Sequence, residues 1–406
     1  MSAITKADSL SALGTTHTFV ASGPEVSVVI PCLNEADTIG SCVAKAWSAL
    51  NGAGIHGEVV VADNGSDDGS VEIALASGAR IVDVASRGYG SALMAGFDAA
   101  LGKYVIMGDA DDSYDFLEIP AFVERLRQGF DLVQGCRLPS GGGSIMPGAM
   151  PFLHRWWGNP MFSWLARRWF GVPLSDVYCG MRGLTRSLYQ RLDLRSHGME
   201  FATEMVIKAS LRGATITEVP ITLHKDGRKA HPPHLKTFHD GWRTLRLFLV
   251  YSPRWLFLIP GLFLVLLGVA GYGLALPGVR IGAVTFDAHT LLFASLAVLC
   301  GYQSIVFGVL SRAFAVSQGL LPEEPRTERF LKAVNLEKGI VAGAVILVAG
   351  TVLLVGAVNQ WLKVDFGRLD YSHTMRWVIP GATFTALGVQ TVLSSFFLAI
   401  LGMAKR

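Results

Sequence analysis

The sequence predicts an α/β domain on an open, mostly parallel sheet, followed by a domain of four transmembrane helices. Three observations lead there. Short apolar runs alternate with helical patterns between residues 26 and 137. Four apolar segments beyond residue 254 contain no Asp, Glu, Lys or Arg. Most charged residues precede Arg254. Of the 406 residues 51% are hydrophobic and only 17% charged, enough chain for two domains, one of them in lipid.

In the first domain the apolar runs at 26–30, 59–62, 81–84, 104–107 and 132–135 read as strands. Helical periodicity fills 36–50, 70–77, 91–101 and 119–127 between them. Strand and helix alternating at this spacing favour parallel pairing, and ligands of such sheets bind at the carboxyl ends of the strands. Residues 1–24 form a polar tail without the apolar core of a signal peptide. The domain over 25–230 is therefore expected on the cytoplasmic side.

The segments 255–276, 289–311, 339–362 and 377–403 are the predicted spans of a transmembrane domain over 255–406. At about 1.5 Å per residue, a 22-residue helix reaches roughly 33 Å, enough for a hydrocarbon core of about 30 Å. Stretches 225–254 and 312–338 and the C-terminus carry seven, five and two Lys and Arg, against one and three in 277–288 and 363–376. The positive-inside rule then puts the first domain in the cytoplasm. Residues 231–254 read as a juxtamembrane amphipathic helix, with Leu235, Phe238, Trp242, Leu245 and Leu249 on one face and Lys236, His239, Arg243 and Arg246 on the other. The stretch 152–170, with Trp156, Trp157, Trp164 and Trp169 among Arg155, Arg167 and Arg168, reads similarly. Membrane lipids are thus expected partners. A net charge of +3 without a basic, aromatic-interleaved tract excludes nucleic acid. Five scattered cysteines without a C-x-x-C pair indicate neither a disulfide framework nor a zinc site.

Three loops at predicted strand ends carry the candidate chemistry. Pro31-Cys32-Leu33-Asn34-Glu35 follows the first strand and is either ligand-facing or a helix cap. Asp63-Asn64-Gly65-Ser66-Asp67-Asp68-Gly69 follows the second; its first acid either accepts from a base or ribose or makes an Asx-type turn. Gly108-Asp109-Ala110-Asp111-Asp112 is the most informative. Carboxylates this close repel one another unless a cation joins them, and hard oxygen ligands suit Mg²⁺ or Mn²⁺, held by one or two carboxylates plus substrate phosphates.

Together these loops resemble the signature elements of family-2 glycosyltransferases, in particular the dolichyl-phosphate-mannose synthase and bacterial polyprenyl-phosphate glycosyltransferase branch. The resemblance covers roughly residues 25–250 and implies a GT-A (Rossmann-like) domain. It implies that Pro31, Leu33, Glu35, Asp63, Ser66, Asp109, Ala110 and Asp111 contact a nucleotide sugar, together with Arg87 and Gly88 of the loop Arg87-Gly88-Tyr89-Gly90. Asp109 and Asp111 would hold the metal, and Arg137, Arg228 and Lys229 would meet the acceptor phosphate. Asp109, Asp111, Arg137, Arg228 and Lys229 are then the catalytic set. The basic loop His224-Lys225-Asp226-Gly227-Arg228-Lys229 departs from the family's commoner arginine-glycine-serine-lysine order, so the division of labour among its cations stays open. Asp176–Arg182 looks like a further element of the branch, and Glu200 and Glu204 either face the site or stabilise a helix N-terminus.

The implied reaction is inverting transfer of one hexose, from UDP-glucose or GDP-mannose, to a polyprenyl or dolichyl monophosphate. No Arg-Trp pair has a glutamine three residues before it, as processive members of the family do; Phe152 stands there before Arg155-Trp156. Transfer to a lipid hydroxyl is the alternative within enzymes, and lipid-linked-sugar translocation the alternative outside them. A homo-oligomer is compatible with the sequence.

Overall fold

Val26–Cys32 (β1) is buried along its whole length, as a central strand covered on both faces must be. A computed structural model describes residues 23–229, 237–318, 321 and 336–403. Most of the predicted N-terminal tail, Leu235 and Lys236 of the amphipathic face, most of the 312–338 loop and the basic C-terminus lie outside these residues.

Around β1 stand Gly57–Asp63 (β2), Arg80–Asp83 (β3), Tyr104–Met107 (β4), Leu132–Cys136 (β5), Arg182–Thr185 (β7) and Ile216–Pro220 (β8). They form one sheet in the order β3-β2-β1-β4-β7-β5-β8. Every pairing is parallel except those of β7, which is antiparallel to both β4 and β5. The first five strands stand where the apolar runs predict them. Neither β7 nor β8 was predicted as a strand: β7 is four residues with a buried arginine at its head, too short and too polar for a period-2 signal. Ser144–Ile145 (β6) pairs with Thr222–Leu223 (β9) beside the sheet.

Alternate β1 residues feed two cores. Val26, Val28 and Ile30 pack with Ile39–Gly52 (α1) and Ile119–Arg127 (α4). Val29 packs on the other face with Tyr89–Ala99 (α3), Asn159–Phe170 (α5) and Phe201–Leu211 (α7). Between β2 and β3 lies Ser70–Ala76 (α2), and Arg186–Leu192 (α6) follows β7.

The expected juxtamembrane helix is present as Thr237–Tyr251 (α8). Its Phe248 is fully buried against Phe162 and Phe170 of α5, while Phe238 and Trp242 are 84% and 59% exposed. One face therefore holds α8 to the α/β domain and another is left apolar and open. A turn of π-helix at Arg254–Leu258 leads into Ile259–Ala275 (α9), where Trp255 stacks on Trp169 of α5.

Ala288–Ser317 (α10), Leu336–Leu362 (α11) and Tyr371–Met403 (α12) complete the chain. Four helices, counting α9 with its π-turn, are long and apolar enough to cross a membrane. The chain is an integral membrane protein. Among these described helices, α9 packs on α10 and α11 on α12, and α10 joins the two pairs to each other. Close approach explains the glycines: a Cβ on Gly261 would stand 2.8 Å from the carbonyl of Gly301, and one on Gly343 2.9 Å from that of Gly388.

Candidate active site

The register pairs Cys32 with Asp63 and Val29 with Met107, so the carboxyl ends of β2, β1 and β4 lie side by side. Three loops then meet at one edge. The β1 and β2 loops are tied together: Asn34 N–H donates to Ser66 Oγ (2.9 Å), Glu35 N–H to Ser70 Oγ (2.8 Å), and Asp67 N–H to Asn34 Oδ1 (2.9 Å). Asn34 takes a positive φ of 58° to do so, a conformation Asn tolerates better than most residues. Asp63 makes the Asx-type turn, accepting from the N–H groups of Gly65 and Ser66 at 3.1 Å each. A carboxylate has about four acceptor sites, so the turn leaves Asp63 capacity for a ligand. Pro31 and Ala110 are buried behind this edge, and Leu33 is half-buried on it.

At the β4 tip the three acids divide. Asp112 turns onto α1, where Lys45 Nζ (2.8 Å) and Ser41 Oγ (3.1 Å) hold it. Asp109 accepts from Tyr89 Oη at 2.8 Å. Asp111 Oδ1 accepts from the Ser113 N–H (3.0 Å) and Oγ (2.6 Å). Burial, and then the charge of Asp111, push the Asp109 carboxyl above the usual carboxylate range.

The basic loop closes over this edge. Arg228 Nε donates to both oxygens of Glu35 at 2.8 Å, its Nη2 stands 2.6 Å from Glu35, and its Nη1 lies 3.4 Å from Asp111 Oδ2 and 2.8 Å from Asp226. Lys229 donates its N–H to Asp37 and exposes its side chain. Glu35, Asp111 and Arg228 are thus one cluster, with Asp63 on the neighbouring tip.

Arg137 sits deeper. Its Nε and Nη2 are paired with the buried Asp176 at 2.7 and 3.0 Å, and Nη1 donates to Tyr114 Oη at 3.2 Å. Five guanidinium N–H groups less these three leave two. Tyr114 Oη also accepts from Gly180 N–H, and a Cβ on Gly180 would stand 2.5 Å from Asp109 Oδ2, so Tyr114 and Gly180 lie between Arg137 and Asp109. Arg87 is exposed. Gly88 has φ 135°, and both it and Gly90 lie where a side chain would strike the backbone of Ser196 and His197.

Glu204 turns to structure: its carboxylate pairs with buried Lys208 at 2.6 Å and caps the Arg195 and Ser196 N–H groups. Glu200 lies 3.9 Å from Arg243 of α8. Sequence reasoning missed Tyr89, Tyr114 and the Asp176 pairing. Two of them had a signal: Tyr89 lies in the loop Arg87-Gly88-Tyr89-Gly90, and Asp176 opens the stretch Asp176–Arg182.

Among the described residues no group of three or more His, Cys, Asp or Glu could cage a metal. The Asp109–Asp111 pair, with its unfavourable mutual charge and Asp111 Oδ2 uncommitted to backbone, suits an ion held by one or two carboxylates and completed by phosphates and water.

Residues 27–193 match glycosyl transferase family 2, and residues 309–402 match the glycosyltransferase family 2 C-terminal transmembrane region. The chain is 37% identical over 382 residues to the low-salt glycan biosynthesis hexosyltransferase Agl6 of Haloferax volcanii, covering 93% of this chain and 89% of that one. The chain belongs to glycosyltransferase family 2. It is 34% identical to a dolichyl-phosphate hexose transferase of Haloferax volcanii over 48% of this chain and 82% of that one. It is 30% identical to the undecaprenyl-phosphate 4-deoxy-4-formamido-L-arabinose transferase of Klebsiella pneumoniae, over 70% and 86%. Glucosyl-3-phosphoglycerate synthase of Mycobacterium tuberculosis, a solved structure, aligns at a TM-score of 0.46 and 24% identity, over 56% of this chain and 79% of that one, too little to argue from. The strand tips described above belong to a family-2 glycosyltransferase, and the enzyme is a sugar transferase anchored in a membrane.

Proposed function

We propose that this glycosyltransferase moves one hexose, glucose or mannose, from a nucleoside diphosphate sugar to a polyprenyl or dolichyl monophosphate at the cytoplasmic membrane face, with inversion. The observation that carries the reading is the acid pair Asp109–Asp111 at a sheet edge shared with Glu35 and Asp63, in a chain with four membrane-crossing helices. The dolichyl- and undecaprenyl-phosphate transferases it resembles favour the same acceptor class.

Domain limits follow at 25–230 for catalysis, 231–254 for the interfacial helix and 255–406 for the anchor. The outer face of α8 (Phe238, Trp242) and the stretch leading into and along α5 (Phe152, Trp156, Trp157, Trp164) expose large apolar side chains, and Trp169 of α5 stacks on Trp255 at the start of the first span. Interspersed Arg155, Arg167 and Arg168 suit an anionic surface, each cation there contributing about 1 kcal/mol. The acceptor's phosphate lies at that level.

A phosphomonoester has its second pKa near about 6, so at pH 7 the dianion outnumbers the monoanion roughly tenfold. The acceptor oxygen is already ionised and needs no general base. In this reading Glu35, Asp63, Ser66, Arg87 and the β1 and Gly88 backbones hold the nucleotide. The two N–H groups left on Arg137 take the acceptor phosphate, with Asp176 fixing the guanidinium plane. Arg228 and Lys229 neutralise the departing diphosphate. A divalent ion at Asp109 and Asp111, Mg²⁺ or Mn²⁺, would add positive charge at the same leaving group.

The test is transfer of labelled glucose from UDP-glucose, or mannose from GDP-mannose, to a polyprenyl phosphate by the full-length enzyme and by Asp111→Ala. Loss of about 10²-fold or more is expected from removing a transition-state contact of this kind. Unchanged transfer by the variant removes the acid pair from the mechanism, and an alkali-stable, acid-stable product would replace the phosphate acceptor with a hydroxyl.

A further inference from the structure

Arg228 is held more firmly than a diphosphate-binding cation requires. Its side chain is 12% exposed and its Glu35 partner 3%. The loop that carries it is strapped to the acid loop at several backbone points: Leu223 bridges Tyr114, His224 N–H donates to the Ser113 carbonyl at 2.9 Å, and Gly227 N–H donates to the Asp111 carbonyl at 2.9 Å. The approach is close at Gly227, where a Cβ would stand 2.9 Å from Thr38 Cγ2 and 3.4 Å from the Asp111 carbonyl.

The strap also decides which Asp111 oxygen meets a cation. Oδ1 is occupied by the Ser113 N–H and hydroxyl. Oδ2 is the oxygen left for a metal, and Arg228 Nη1 stands 3.4 Å from it. A divalent ion on Oδ2 would sit within a few ångströms of a fixed guanidinium in a half-buried site, where like charges repel strongly. Glu35 cannot relieve the conflict, because both its oxygens are engaged by the same arginine. A diphosphate can. It offers Arg228 a bidentate anionic partner equal to Glu35 and supplies oxygens to the metal at the same time.

Resting on the donor-site reading above, we propose that Arg228 is the resting counter-ion of Glu35 and Asp111. It competes with the divalent ion for Asp111, and the site retains metal only when the diphosphate of a nucleotide draws the guanidinium away. Metal and donor therefore enter as one unit, and the strap bearing Arg228 and Lys229 is released only by the ligand it then covers.

The test is Mn²⁺ binding without turnover, followed by the free-ion electron paramagnetic resonance signal on full-length protein in detergent. Without nucleotide, Arg228→Gln is expected to bind Mn²⁺ about tenfold or more tighter than wild type. Arg228→Lys, a compact charge unable to span Glu35 and Asp111 together, should lie between them and guards against a folding defect in the first variant. Saturating UDP or GDP should tighten Mn²⁺ binding about tenfold less in Arg228→Gln than in wild type, because part of the coupling is the arginine's departure. Nucleotide-free affinities equal within about twofold in all three proteins overturn the inference, while nucleotide-dependent Mn²⁺ binding leaves the donor site standing. Absence of Mn²⁺ binding in all three, with or without nucleotide, overturns it together with the metal in the proposed mechanism.

Discussion

Glu118 shows how a single carboxylate ties stability to pH. One oxygen accepts from Thr222 N–H at 3.2 Å, and the other is buried with no hydrogen-bond partner among the described residues. Burial pushes its pKa from 4.5 up to about 7. The folded protein therefore binds the extra proton that the unfolded chain has released, and the stability this group contributes is present below pH 4.5 and lost as pH rises through about 7. Glu118→Gln should melt at a higher temperature than wild type at pH 8 and at the same temperature near pH 4, by thermal unfolding in detergent. An equal gain at both pH values would assign the effect to packing. Asp176 makes the opposite case, being fully buried and paired with an arginine whose side chain is 9% exposed. Asp176→Asn strands that guanidinium and should cost about 3–5 kcal/mol in denaturant unfolding, as broken buried pairs do. Transfer should fall in parallel if Arg137 must keep its plane.

Elements are joined by contacts that their own patterns only half announce. The helical spacing of α8 announces an amphipathic helix but places Phe248 on neither the apolar nor the basic face, yet Phe248 is the residue that enters the core, between Phe162 and Phe170. Phe248→Ala should cost about 3–5 kcal/mol and loosen α8 from α5, which hydrogen exchange of α8 amides would register as faster exchange confined to that helix. In the anchor, helix pairs close on glycine. Gly268→Leu would drive a side chain into the Ala294 carbonyl and Val298, 2.6 Å from a bare Cβ, and should separate α9 from α10. A lower melting temperature in detergent is the expected result, with strand-tip chemistry in the folded fraction retained.

At the scale of the whole molecule, the exposed tryptophans gain meaning only beside the spans. Replacing Trp156, Trp157 and Trp242 together by Ser removes aromatic anchors that are 61%, 69% and 59% exposed, so the fold should tolerate the change. Transfer to a long-chain acceptor in vesicles should drop severalfold, while transfer to a short, water-soluble prenyl phosphate stays near wild type. Equal loss on both acceptors would move these residues from the bilayer to the catalytic domain. Among the described residues, Trp169 of α5 links α8 to the first span, its ring lying 6.2 Å from that of Phe248 and stacked on Trp255 at 5.5 Å.

The sequence by itself determined the partition into an α/β domain and four spans, the first five strands, and the acidic and polar loops at their ends. Each of these rests on local periodicity or on a run of one residue class, which neighbours in the chain suffice to express. Only tertiary structure decided which acids act together. Asp112 and Asp111 are adjacent, yet one is claimed by Lys45 on α1 and the other faces Arg228, a residue more than a hundred positions away. The insertion of β7 between β4 and β5, the locking of Arg137 by Asp176, and the burial of Glu204 with Lys208 have the same origin. They depend on distances between residues far apart in the chain, and burial sets the strength of each charge pair only once those distances exist.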